Sequence, residues 1–256
     1  MFMKTHVENL LFRRPDLYEK AYPADDALPD MCRRLFERHL GRQPASILDI
    51  GCGTGREIEA FSETCSDCVG VDHCPEMIAF ARSKHSAKHP VSTFRVGDMF
   101  SLRLGRDFEA ITCLGGVMLY AMTHEEIDQT LGTFAAHARP GTVLILELFN
   151  GARYLAAGGF KEHTEFEVDF QDGTVGKGTA TYDFDRRRQR LIRKRIWHIP
   201  GMPPAEDYCE YRLFFPAELE HLLAEKGFQV VGMFDNKESR ESDLSGEWLY
   251  VAAVFR

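Results

Sequence analysis

The stretch Ile47-Leu48-Asp49-Ile50-Gly51-Cys52-Gly53-Thr54-Gly55-Arg56 decides the fold. Apolar residues around a single Asp run straight into glycines at alternate positions, and Glu57, Ile58 and Phe61 then take up helical spacing. That order reads as a buried strand, a tight glycine loop and a helix, the arrangement by which α/β proteins bring bare backbone against a nucleotide-like ligand. Glycine has no Cβ to hold a ligand off and takes positive φ without strain, so each of the three glycines is expected to mark a close approach. The spacing differs from the dinucleotide fingerprint G-x-G-x-x-G/A. Gly55 comes one place early, Arg56 stands where a small residue is needed, and Asp49 sits in the strand ahead of the loop.

Two further signals follow in register. Val69-Gly70-Val71-Asp72 reads as a second strand ending in an acid 21 positions after Gly51, where a carboxylate can take both hydroxyls of a ribose. Pro75 suits the first turn of the next helix, which carries Met77, Ile78 and Ala81. Thr93 to Met99 reads as a third strand running into Gly97-Asp98-Met99, with a fourth strand at Phe108–Leu114 and a fifth at Thr142–Phe149.

The D-x-G-x-G-x-G spacing at 49–55 resembles motif I of the class I S-adenosylmethionine (SAM) methyltransferases. From Tyr18 onward the order of parts is similar to bacterial small-molecule N-methyltransferases, such as those that dimethylate amino sugars in antibiotic pathways. The matching pieces are Leu17-Tyr18-Glu19 with Tyr22, the strand Phe108–Leu114, and Glu210-Tyr211-Arg212-Leu213-Phe214. The resemblance implies SAM as cofactor, with Asp49, Gly51, Cys52, Gly53 and Gly55 around its amino-acid end. It implies that Asp72 and His73 serve the ribose, that Asp98 accepts from the adenine amino group while Met99 packs on the ring, and that Met77 and Leu114 complete the cofactor set. Tyr18 and Tyr22 would belong to a lid over SAM. After Leu114 the chain has Gly115-Gly116-Val117-Met118-Leu119-Tyr120, where relatives often carry hydroxyl residues, so the resemblance does not by itself carry their acceptor over to this chain.

Past the fifth strand the βα alternation breaks. Glu165–Phe170, Thr179–Phe184, Arg190–Ile199 and Cys209–Phe214 alternate apolar and polar residues between turn-forming segments, which predicts an inserted antiparallel sheet. Pro216 then opens a helix closed at Gly227, and Phe228–Phe234 and Glu247–Phe255 supply the last two strands. Ahead of motif I, Leu28, Met31, Leu35, Phe36 and His39 trace a helical face ending at Gly41, and Thr123 to Glu126 forms a capping box. The expected fold is thus α/β: a Rossmann-like seven-stranded sheet with helices on both faces, an N-terminal helical lid and an inserted antiparallel sheet after strand five. Residues 1–150 would hold the lid and SAM-binding core, 151–214 the inserted substrate or dimerisation sheet, and 215–256 the completion of the core.

The formal charge of -8 disfavours a nucleic-acid substrate. The local run Arg186-Arg187-Arg188-Gln189-Arg190, with Arg193, Lys194 and Arg195, reads as one arm of a salt-bridged ribbon facing Glu165, Glu167, Asp169, Asp183 and Asp185. No apolar stretch is long enough to span a bilayer and no signal-peptide pattern opens the chain, so a cytoplasmic protein is expected. Cys65-Ser66-Asp67-Cys68 with His73 and Cys74 imitates a metal site. Five extended residues put Cys68 and His73 more than ~13 Å apart, so no metal is expected.

SAM carries an activated methyl, so the enzyme has mainly to align a nucleophile and exclude water. A neutral amine needs only a later proton acceptor, whereas a hydroxyl needs a base or a metal. Candidates for catalysis are Tyr18, His124, Glu147, Asn150, His198 and Tyr211; Tyr22, Tyr120, Tyr154, Trp197 and Arg212 complete the polar and aromatic residues expected at the opening. Glu147 and Asn150 lie where the fifth strand's C-terminal end meets the ligand crevice. The expected function is methyl transfer to a nitrogen of a small molecule in secondary metabolism, with a homodimer through the inserted sheet. An O-methyltransferase, an enzyme that cyclises or cleaves SAM, and a non-catalytic SAM-binding protein are the alternatives.

Overall fold

The computed structural model describes residues 7–23, 25–85, 91–156 and 158–256. In chain order the strands are β1 (Val7–Glu8), β2 (Ser46–Ile50), β3 (Asp67–Asp72), β4 (Ser92–Val96), β5 (Phe108–Cys113), β6 (Ala138–Phe149), β7 (His163–Asp169), β8 (Val175–Asp185), β9 (Arg190–His198), β10 (Ala205–Arg212), β11 (Phe228–Phe234) and β12 (Trp248–Phe255). The helices are α1 (Pro15–Ala21), α2 (Ala27–Leu40), α3 (Arg56–Phe61), α4 (Pro75–His85), α5 (His124–Ala136), α6 (Gly151–Leu155) and α7 (Pro216–Glu225).

Seven strands form the main sheet in the order β11-β12-β6-β5-β2-β3-β4. The five from β6 to β4 run parallel, and β12 is antiparallel to both its neighbours. Strand order reverses between β2 and β5, so a crevice opens beyond their C-terminal ends, where the glycine loop lies. The central strands are apolar on both faces because both are covered. On one side Met31, Leu35 and Phe36 of α2, Phe61 of α3 and Ile78 of α4 pack on Ile47 and Ile145. On the other, Leu131 and Phe134 of α5 and Leu223 of α7 pack on Leu48, Ile50, Leu144 and Leu146. The expected helix stops are present. Gly41 (φ 71°) turns its N–H back to the Glu37 carbonyl at 3.0 Å, and the Thr123 hydroxyl accepts from Glu126 N–H at 3.1 Å.

The inserted sheet contains the four anticipated strands and a fifth, in the order β1-β10-β9-β8-β7. Three strands begin earlier than their patterns suggested, β7 at His163, β8 at Val175 and β10 at Ala205. Gly176, Gly178 and the acidic 206–207 pair carry little strand propensity, but register with β9 recruits them: Gly178 opposes Trp197, and Asp207 opposes Arg195. The added strand β1 pairs Val7 with Cys209, tying the N-terminus to the sheet's edge. Two residues are too few to show any periodicity. In the charged ribbon Glu167 meets Lys177 at 2.5 Å and Asp185 meets Arg188 at 2.8 Å; both pairs are exposed and add little stability.

Candidate active site

The three loop glycines answer to three different neighbours. A Cβ on Gly51 would lie 2.2 Å from a methyl of Val117, on the segment after β5. One on Gly55 would meet Phe94 at 2.6 Å and His85 at 3.1 Å. Only Gly53 (φ 53°) faces open space, with nothing within 4 Å of a Cβ placed there. At Gly51 and Gly55 the absence of a side chain thus also serves protein packing, and ligand contact there would be made by backbone. The Cys52 thiol is buried against Gly70, so Cys52 faces the loop with its backbone.

Asp72 ends β3 and closes the loop. One carboxylate oxygen accepts from Gly53 N–H and the other from Cys74 N–H, each at 2.8 Å. A carboxylate has about four acceptor sites, so both oxygens keep lone pairs for a ligand. Burial pushes this carboxyl up from its ordinary range while the two N–H donors pull it down. Asp98, half-buried, uses one oxygen on Phe100 N–H at 2.8 Å. Asp49, deep in β2, accepts from the Thr112 hydroxyl at 2.7 Å. Burial, aided by the charge of Glu57, pushes its carboxyl up to about 8. Met77 and Leu114 are buried beside the loop's strands, Met99 packs half-buried on the core, and His73 is exposed.

The N-terminal segment sits directly on this loop. Glu19 of α1 takes the Thr54 hydroxyl and the Lys84 ammonium and lies 3.6 Å from the Arg56 guanidinium. Arg56 in turn donates to the Tyr22 carbonyl, reaches the Tyr18 hydroxyl at 3.3 Å and lies 5.1 Å from the centre of the Tyr18 ring. Tyr18 is deeply enclosed, and burial pushes its phenol up to about 12. From Tyr18 a file of rings leads away: Phe12 at 6.3 Å, Tyr120 a further 6.4 Å on, then Tyr211 of β10 at 5.5 Å and Phe149 at 5.4 Å. Leu11 and Leu17 pack with Phe170, Trp197 and Ile199 of the inserted sheet. The segment thus bridges glycine loop and inserted sheet.

Comparison with known proteins fits this geometry. Residues 47–141 match the family model described as Methyltransferase domain. The chain is 34% identical over 223 residues to dTDP-3-amino-3,4,6-trideoxy-alpha-D-glucopyranose N,N-dimethyltransferase of Streptomyces venezuelae, covering 82% of this chain and 83% of that one. The chain belongs to the class I SAM-dependent methyltransferases. Among solved structures, a SAM-dependent methyltransferase from Clostridium acetobutylicum superposes with a TM-score of 0.81 at 16% identity, covering 96% of this chain and 99% of that one. SAM-bound CalS10, an amino pentose methyltransferase from Micromonospora echinaspora, gives a TM-score of 0.73 at 23% identity over 96% of this chain and 99% of that one.

The cofactor of this methyltransferase is SAM, and the residues present fit it. The open face of Gly53 leaves room for ligand, Asp72 has acceptor sites remaining, and Asp98 stands at the end of β4.

The six catalytic candidates are scattered. Tyr18 and Tyr211 belong to the ring file. Glu147 is buried and accepts from Gly115 N–H at 2.7 Å, so its carboxylate braces the loop after β5. Burial pushes its carboxyl up from the ordinary range, opposed by that N–H. Asn150 is fully engaged: its oxygen caps α6 at Ala152 N–H, and its amide donates to the Leu244 and Gly246 carbonyls at 2.7 and 2.9 Å. His198 lies exposed on the face of β9 opposite Trp197, because strand alternation turns it away from the core. His124 is exposed in the first turn of α5. His198 and His124 thus lie on exposed surface, and the polar atoms of Asn150 are already paired. Tyr18 packs against Arg56 and Phe12, and Tyr22 against Tyr18. Among residues the sequence had not singled out are Phe12 and Lys84, each brought to the site by tertiary packing with no local motif.

Proposed function

We propose that this methyltransferase transfers the methyl group of SAM to a neutral nitrogen of a small molecule. The observation that carries the reading is the absence of an available base among the anticipated catalytic side chains. Glu147 braces Gly115, Asn150 is used up as a cap and tie, and His124 and His198 are exposed outside the ring file. What faces the region beyond the glycine loop is aromatic: Phe12, Tyr120, Tyr211 and Phe149. Such a surface excludes water and orients an acceptor, and an amine lone pair needs no deprotonation before in-line attack on the activated methyl. A hydroxyl acceptor would need a base at this position. The relatives add weight, since the Streptomyces venezuelae enzyme is named for an amino sugar and a further relative, 25% identical over 89% of this chain, for glycine and sarcosine. The inserted sheet, reached by the ring file at Tyr211, would supply the acceptor contacts, and its outer face the surface for a second copy.

Incubation with methyl-deuterated SAM and a panel of amino sugars, amino acids, aliphatic amines and phenols, followed by mass spectrometry, tests the proposal. Labelled N-methyl product from an amine supports it. Turnover confined to phenols would replace it with O-methylation.

A further inference from the structure

Four arginines of the inserted sheet have guanidinium groups withdrawn from solvent, and three are neutralised. Arg190 meets Glu210 at 3.1 Å, Arg195 forms a two-pronged pair with Asp207 at 2.8 and 2.6 Å, and Arg212 pairs with Glu218. The fourth, Arg193, has no carboxylate partner among the described residues. One of its Nη groups donates to Cys209 Sγ at 3.4 Å, a weak acceptor, and its buried Nε has no hydrogen-bond partner there. Its guanidinium lies 5.3 Å from the centre of the Tyr211 ring, and Tyr120 is the next ring along.

A guanidinium cannot shed its proton, so burial leaves it charged with donors unmatched. Contact with a ring face recovers part of the desolvation cost, but the buried arginines of natural proteins meet carboxylates or phosphates because nothing else matches their planar fork. Its three neighbours on this sheet follow that rule. The exception points toward Tyr211 and Tyr120, in the ring file that runs back to Tyr18 above the glycine loop.

We propose that Arg193 receives an oxyanion of the methyl acceptor, a carboxylate or a phosphate, and so fixes the acceptor in the crevice beside Tyr211 and Tyr120. The assignment rests on the small-molecule methyl-transfer reading and narrows its substrate class to amines bearing an anionic group. The cation also disfavours protonation of a nearby amine, which keeps the nucleophile's lone pair free at neutral pH. Arg193 would thus select the acceptor by charge while the rings select it by shape.

Two measurements on the full chain test this. The first is thermal melting of the complex with S-adenosylhomocysteine, with inorganic pyrophosphate or glutarate as probes. Wild-type protein should be stabilised by at least one probe, and which one separates phosphate from carboxylate. Arg193→Gln should lose that stabilisation, and Arg193→Lys, which keeps the charge without the fork, should keep part of it. The second is the ratio of kcat/KM for matched amines with and without the anionic group. That ratio should fall roughly 10- to 100-fold in Arg193→Gln, the worth of hydrogen bonds to a charged group, with the change carried mainly by KM.

No stabilisation of the wild type by either probe, equal stabilisation of Arg193→Gln, or an unchanged ratio would overturn the proposal. Should Arg193→Gln fail to fold, Arg193→Lys and the wild-type probe response still decide it. The two readings also fail separately. Probe binding that depends on Arg193 without turnover of any amine keeps the anion site and removes amine methylation. Turnover of amines with no probe response does the reverse.

Discussion

Replacing Asp72 by alanine tests the cofactor site at its most connected residue. The carboxylate braces the glycine loop through Gly53 N–H and turns the chain into α4 through Cys74 N–H, both at 2.8 Å. It also carries the acceptor sites left for a ribose. Losing it leaves two backbone donors without partners, each worth about 1 kcal/mol where water can partly replace the lost acceptor. Unliganded protein should then melt roughly 4–8 °C lower, given about 2–4 °C per kcal/mol for a chain of this size. The ribose contacts should add a separate loss, with SAM dissociation constants rising by roughly 10- to 150-fold for hydrogen bonds to a charged group. Asp72→Asn separates the two effects. Its amide oxygen can serve one of the N–H groups, so stability should recover in part, but two acceptors cannot be restored and SAM binding should stay weak. Calorimetry for binding and scanning calorimetry for melting read the two columns independently. Asp72→Ala with lowered melting and wild-type SAM affinity would show that the carboxylate is only a loop brace and refute its assignment to the ligand.

Gly51→Ala should lower stability more than Gly53→Ala, because its Cβ would collide with Val117; Val117→Ala should restore part of that loss. Gly53→Ala should cost about 1 kcal/mol of stability for its left-handed backbone and weaken SAM binding beyond that, seen by calorimetry on both variants. Glu19→Gln should loosen the N-terminal segment from Thr54, Lys84 and Arg56, so that exchange protection at 10–23 falls and the KM for SAM rises several-fold; unchanged exchange would count against the clamp. Asp49, whose carboxyl lies near 8 when folded against 3.8 ordinarily, binds its proton more tightly in the native state. Its contribution to stability is thus fully present below about pH 4 and lost as pH rises toward 8, a slope that Asp49→Asn should remove from urea titrations across that window.

The parallel sheet was legible because its strands are short apolar runs ending in Gly or Asp at fixed spacing, a signal that needs no tertiary context. The capping box at Thr123 and the stop at Gly41 were readable for the same reason. The inserted sheet was legible as alternation in β7 to β10, but its strand ends depended on register with β9, which a single strand cannot display. Within the site, Asp72 and Asp98 stood at strand ends where the fold places them. Glu147 and Asn150 also stood at a strand end, yet the loops at 115 and 244–246 use their polar atoms. Position on a strand names which end a residue occupies; it does not tell whether another loop reaches it first. The parity of His198 was open to counting: with Trp197 inward, its neighbour must face out.

The charges around the glycine loop distinguish the N-terminal segment from the floor of the site. Asp49, Asp72 and Glu147 are withdrawn from water without a cation among their hydrogen-bond partners, and burial pushes each carboxyl up from its ordinary range. Glu19, by contrast, brings its own cations, Lys84 and Arg56, down onto the loop. SAM carries a sulfonium and an ammonium, so its arrival supplies the positive charge that the buried carboxylates lack and favours their ionised forms. After methyl transfer the sulfonium becomes a neutral thioether, and the field of those carboxylates holds S-adenosylhomocysteine less strongly than it held SAM. By charge alone, the same carboxylates would favour substrate over product. The clamp through Glu19 is self-neutralised and contributes to both states alike. If Asp49 and Asp72 bind the cofactor as proposed, discrimination between cofactor and product would reside in them, whereas contacts from α1 would serve both states.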